Sequence, residues 1–117
     1  MSKTATLYGI QNCDTMKKAF KWLDAQNIAY DFHDYKKIGI DEDVLKQALT
    51  QHGWENVINR RGTTWRKLPQ ETQDSMNDDQ AIAIAAENPS ILKRPLLKQG
   101  NDIFLGFKDS EYEEIFG

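Results

Sequence analysis

The sequence has 117 residues, 39% of them hydrophobic and 28% charged, a balance that fits one globular domain able to bury its own core and excludes a disordered chain. A formal charge of −3 argues against a general electrostatic grip on nucleic acid, and the one cysteine excludes an internal disulfide and suits a reducing compartment. Met1-Ser2-Lys3-Thr4-Ala5-Thr6-Leu7 carries no apolar run of signal-peptide length, and no stretch approaches the roughly 18 apolar residues of a membrane span, so a cytoplasmic protein without membrane contact is expected.

Thr4-Ala5-Thr6-Leu7-Tyr8-Gly9-Ile10 is rich in β-branched and aromatic residues and predicts a short buried strand. Gln11-Asn12 turns the chain. From Cys13 onward Met16, Ala19, Phe20 and Leu23 repeat at helical spacing, with Lys17, Lys18, Lys21 and Asp24 on the other side. This predicts an amphipathic helix with Asn12 as its cap and Asp14 favourably placed in its first turn. Ala29–Tyr35 alternates aromatic and polar residues and predicts a second strand, so the chain opens β-α-β, an order that favours a parallel pair.

Asp41 predicts the cap of a helix bearing Val44, Leu45, Ala48 and Leu49 and stopped by Gly53. Thr63 or Thr64 can cap a short turn through Trp65 and Leu68. Asn77 and Gln80 form a capping-box pair opening a helix over Asp78–Glu87, which ends before Pro89. Leu96-Leu97, a turn at Gln99–Asp102, and Ile103–Leu105 predict an antiparallel hairpin. A last helix follows, with Ser110 and Glu113 as a second capping-box pair and Ile115 and Phe116 as its anchor. The whole reads as one domain over residues 1–117: β-α-β, a helical insert over about 40–92, then β-β-α. A mixed four-stranded sheet covered by helices, in the order of the thioredoxin fold, is the expected α/β architecture.

Cys13 stands where a strand gives way to a helix. Unpaired backbone N–H groups and the positive end of the helix dipole favour its thiolate, and cysteines so placed have pKa values lowered to about 3.5–7.5. The competing reading of a lone cysteine is a small core residue. Lys17, one turn on, can add positive charge. Two arginine-bearing segments, Asn59-Arg60-Arg61-Gly62 and Lys93-Arg94-Pro95, offer planar forks suited to oxyanions and carboxylates. A cis bond at Arg94-Pro95 would set a backbone edge beside Cys13, and both isomers are open on the residues alone. His33 and His52 have no metal-ligand pattern around them, and no metal site is expected. Trp22, Trp54 and Trp65 read as packing residues.

Leu7-Tyr8-Gly9-Ile10-Gln11-Asn12-Cys13-Asp14-Thr15-Met16-Lys17-Lys18-Ala19 resembles the N-terminal motif of the arsenate reductase (ArsC) and Spx/MgsR family, and most of all its YffB-type branch. Asn59-Arg60-Arg61-Gly62-Thr63 and Ile91-Leu92-Lys93-Arg94-Pro95-Leu96-Leu97 resemble two further motifs of that family, in order. The resemblance implies a thioredoxin-like fold with a helical insert and a cis proline at Pro95. It implies Cys13 as nucleophile and Arg60 and Arg94 as anion-binding residues, with Asn12, Lys17, Pro95 and Lys108 in supporting places. Where the arsenate enzymes carry a third arginine this chain offers Lys108, which keeps charge and loses the bidentate fork. Where Spx-type regulators have a second cysteine it has Met16, so oxidised Cys13 must be resolved by an outside thiol.

Three functions are therefore expected to compete: a glutathione-dependent monothiol reductase, an arsenate reductase coupled to glutathione or glutaredoxin, and a non-catalytic Spx-like regulator that binds a protein partner. No bound cofactor is expected, and glutathione is the expected co-substrate.

Overall fold

The computed structural model describes residues 5–117. Met1–Lys3, and Thr4 of the predicted first strand, lie outside the described residues. The strands are β1 (Ala5–Gly9), β2 (Asp31–Asp34), β3 (Leu96–Gln99) and β4 (Asp102–Leu105). The helices are α1 (Asp14–Ala25), α2 (Tyr35–Ile38), α3 (Glu42–His52), α4 (Trp54–Val57), α5 (Thr63–Arg66), α6 (Gln70–Asp74), α7 (Asp78–Glu87) and α8 (Asp109–Phe116), with a 3-10 turn at Pro89–Ile91.

The chain forms two compact units. The first holds the residues up to Tyr35 together with Arg94–Gly117. Its sheet runs β2-β1-β3-β4, with β1 parallel to β2 and the other two pairs antiparallel, the mixed four-stranded sheet expected from the element order. β1 is central: Leu7 faces Phe32 on one neighbour and Leu97 on the other. A strand paired on both edges and covered by helices needs apolar side chains on both faces, and Ala5, Leu7 and Tyr8 are all buried. The predicted stripe of α1 lands on this sheet, where Met16, Ala19 and Leu23 join Ala5, Leu7, Leu97 and Tyr112 in one core cluster. The hairpin turns at Gly100, whose φ of +61° is a conformation that favours glycine.

Gly9, at the end of β1, meets a different demand. A Cβ built there would stand 2.5 Å from Met16 Sδ. The absence of a side chain lets the strand end close on the first turn of α1.

The second unit, Lys36–Lys93, corresponds in sequence to the helical insert. Asp41 Oδ1 accepts from Val44 N at 3.2 Å and Gly53 closes α3, as the sequence predicts. Asn77 Oδ1 caps α7 through Gln80 N at 2.9 Å, and α7 keeps its predicted bounds. The stripe Val44, Leu45, Ala48 and Leu49 is buried, as are Val57, Ile58, Ala81, Ala85, Ile91 and Leu92 in the same unit.

Four local expectations are corrected. Cys13, not Asn12, occupies the N-cap position of α1, without a side-chain cap hydrogen bond. The second strand is Asp31–Asp34 rather than Ala29–Tyr35, because Asp34 and Tyr35 are both buried, which breaks the alternation, and Tyr35 opens α2. Gly62 precedes α5, so Thr63 is its first helical residue and not its cap. α8 is preceded by Lys108, and Asp109 Oδ1 accepts from Ser110 N at 2.8 Å, so Ser110 is the donor of that bond.

Two outcomes test this packing. Gly9→Ala should destabilise the protein by about 1–3 kcal/mol, the usual cost of overpacking a filled site, measured as a lowered urea midpoint. An unchanged midpoint would contradict the close strand–helix approach. Tyr112 is fully buried, and its hydroxyl has no hydrogen-bond partner among the described residues. Tyr112→Phe removes a desolvated polar atom and should leave the same midpoint unchanged or raised; a clear drop would reveal a partner.

Candidate active site

β1 ends at Gly9, Ile10 remains buried, and Gln11 and Asn12 bend through solvent before the chain re-enters at Cys13. Cys13 has extended backbone angles (φ −138°, ψ 132°) and sits immediately before α1. Its carbonyl accepts the first helical bond, from Lys17 N at 2.9 Å. This is the capping position, from which a side chain reaches the amides two and three residues on. Serine or aspartate would accept a cap hydrogen bond there; the Cys13 sulfur closes no side-chain cap hydrogen bond, but the neighbouring N–H groups of Met16 and Thr15 favour its thiolate.

The sulfur is half-buried and packs against the core cluster of the first unit. Partial burial pushes the thiol pKa up and is the largest single influence on it. Against burial act the Met16 N–H, a hydrogen bond from the Arg94 side chain, the Thr15 N–H and the Arg94 positive charge, and together they hold the pKa below its ordinary value. Since burial outweighs each of the others singly, the thiolate depends on amides and guanidinium acting together.

Arg94 arrives from the other end of the chain, in the residue before β3. The Arg94-Pro95 peptide bond is cis, as the family resemblance implies, and Pro95 O accepts from Gly106 N at 2.8 Å. That bond ties the start of β3 to the end of β4, so the segment carrying Arg94 is anchored in the same unit as Cys13.

Four other candidate residues are exposed. Asn12 and Lys17 are exposed. Lys108 is exposed just ahead of α8. Arg60 belongs to the second unit, exposed, with its guanidinium carbon 5.8 Å from the ring centroid of Trp54. The structure thus brings Cys13 and Arg94 into direct contact within one unit and places Arg60 on an indole ring of its own unit. Trp54, read from the sequence as a packing residue, does pack against Trp65, at 5.8 Å between centroids, and it also carries Arg60. His33 lies on β2 between Tyr8 and Tyr35, and His52 is the last residue of α3. Among the described residues no group of His, Cys, Asp and Glu is arranged to hold a metal ion, and no helix is long and apolar enough to cross a membrane.

The arrangement suits a nucleophile that attacks as a thiolate. A stabilised thiolate is populated near neutral pH and, once it has formed a disulfide, is a good leaving group when a second thiol attacks.

The model of the ArsC family matches residues 8–115 of this chain. An uncharacterized protein of Haemophilus influenzae is 45% identical over 111 residues, spanning 95% of this chain and 97% of its own. The global transcriptional regulator Spx of Streptococcus agalactiae is 28% identical over 108 residues, 91% of this chain and 78% of its own. Among solved structures, the YFFB protein is 46% identical and superposes with a TM-score of 0.92 over 97% of this chain and all of its own. The thioredoxin-like fold expected from the order of elements holds. With the family model matched from Tyr8 to Ile115 and a relative 45% identical across almost the whole chain, this protein belongs to the ArsC family.

Proposed function

We propose that this arsenate reductase-like chain is a monothiol reductase that uses glutathione to reduce mixed disulfides in a reducing cytoplasm. One observation carries the reading: beside the Cys13 sulfur, the Met16 and Thr15 amides and the Arg94 guanidinium together favour the thiolate despite partial burial.

In the reaction, the Cys13 thiolate attacks the glutathione sulfur of a protein–glutathione mixed disulfide. The old S–S bond breaks, the protein leaves as a thiolate that takes up a proton, and Cys13 becomes disulfide-bonded to glutathione. A glutathione thiolate then attacks the glutathione sulfur of that adduct, producing oxidised glutathione and regenerating the Cys13 thiolate. In net, one mixed disulfide and one glutathione become a protein thiol and oxidised glutathione: the incoming glutathione sulfur is oxidised, the protein sulfur is reduced, and the glutathione sulfur that entered with the substrate stays in a disulfide throughout. The chain has one cysteine, so the second thiol comes from outside it, with a glutaredoxin-type protein as the alternative reductant. Arg94 stabilises the sulfur as attacking and leaving group. In the second unit, Arg60 offers a guanidinium fork suited to a carboxylate.

Arsenate reduction is the second reading, favoured by the family match. Lys108 in place of a third arginine argues against it, since a lysine offers a point charge where a bidentate fork would grip an oxyanion. A protein-binding regulator is the third, supported by the 28% identity to Spx. It requires a partner and no turnover.

Turnover of a glutathionylated peptide by glutathione, coupled to reduction of oxidised glutathione, tests the proposal. Cys13→Ser should fall to the uncatalysed rate, and equal turnover by the variant would remove the proposal. Arg94→Met should lower kcat/KM by about 10- to 100-fold, because hydrogen bonds to charged groups contribute about 1.5–3 kcal/mol. An unchanged kcat/KM would take Arg94 out of the mechanism. Turnover of arsenate in place of the peptide would favour the second reading.

A further inference from the structure

Arg60 is supported on two sides within the second unit. Its backbone belongs to a pinned turn. Asn59 N donates to Ile91 O at 2.8 Å, next to the bridge between Ile58 and Leu92, and Lys93 N donates to Val57 O at 2.9 Å. On the other side of Arg60, Asn59 Oδ1 accepts from Arg61 N at 3.3 Å and Asn59 O accepts from Gly62 N at 3.1 Å. A Cβ on Gly62 would stand 3.0 Å from Asn59 Nδ2, so the turn closes tightly where glycine leaves room. From this turn the side chain reaches the face of Trp54, with Cζ 5.8 Å from the ring centroid. Trp54 lies on α4, before the turn, and stacks on Trp65 of α5, after it, with ring planes 27° apart.

An arginine on the surface ordinarily samples many rotamers, and ordering it on binding costs affinity. A cation over an indole face is held by the ring quadrupole, which does not use up the in-plane N–H donors of the guanidinium. The hydrogen bonds of the turn fix where the Arg60 side chain starts, and the indole holds where it ends.

We infer that Trp54 is the positioning residue for Arg60, holding its guanidinium over the indole face with the N–H fork available to the carboxylate of a small anionic ligand. Trp65 backs the indole. The inference rests on the reading of Arg60 as an anion-binding residue and adds the group that pre-orders it.

The test measures KM for glutathione and kcat separately, at a fixed glutathionylated peptide, in Trp54→Leu, Trp54→Phe, Arg60→Ala and the Trp54→Leu/Arg60→Ala double variant. Thermal unfolding of each confirms that it is folded. Arg60→Ala should raise KM, and Trp54→Leu should raise it by about three- to tenfold with kcat within about twofold of the parent. Trp54→Phe keeps an aromatic face and should recover most of the loss, and the double variant should match Arg60→Ala alone. If Trp54→Leu leaves KM unchanged, or its effect multiplies with that of Arg60→Ala, the positioning role is overturned while the reading of Arg60 stands. An unchanged KM in Arg60→Ala overturns that reading and the inference with it. Should Trp54→Leu not fold, Trp54→Phe decides on its own: a KM near the parent's supports the inference, and a KM as high as that of Arg60→Ala overturns it.

Discussion

A thiol drawn partly into a protein interior ordinarily becomes harder to ionise, because burial removes the water that would solvate its charge. At Cys13 that penalty is the largest single influence, and it is still outweighed by two helix amides and one guanidinium together. The amides come with the α1 capping position and cost no side-chain ordering. The guanidinium contributes both a hydrogen bond and a charge. The chemistry available to this chain follows from that balance, since its one cysteine has meaning as a nucleophile only when ionised.

The fold serves this balance by supplying its parts from the two ends of one unit. β1 delivers Cys13 to the start of α1, and Gly9 lets Met16, whose amide faces the sulfur, pack against the strand end. The segment into β3 delivers Arg94, anchored by the bond between Gly106 N and Pro95 O. Met16 occupies the place where a second cysteine would permit an internal disulfide, and it is fully buried in the core cluster. The same residue therefore helps stabilise the thiolate and leaves its oxidised form to be resolved from outside.

Much of this was legible in the residues. The stripe of α1, the cap and stop of α3, the bounds of α7 and the hairpin at Gly100 each carry their own local signal, a period, a cap or a glycine turn. The short helices Tyr35–Ile38, Trp54–Val57 and Gln70–Asp74 carry none, because four or five residues do not complete an apolar repeat. Asn12 was misleading because its side chain is a good cap, yet Cys13 took the position with a sulfur. Cys13 and Arg94 were legible as candidates, but their contact depends on how β3 pairs with β1, which no local pattern encodes. The seat of Arg60 on Trp54 was hidden for a related reason, as their spacing across a turn matches neither a helical nor a strand period.

The ultraviolet absorbance of the thiolate, titrated against pH in the intact protein with Cys13→Ser as the blank, tests the central claim most directly. The midpoint should lie clearly below the ordinary thiol value of about 8.5, and it should move upward in Arg94→Met, where burial loses one of its opponents. A midpoint at or above the ordinary value in the parent protein, or one indifferent to Arg94, would contradict the account.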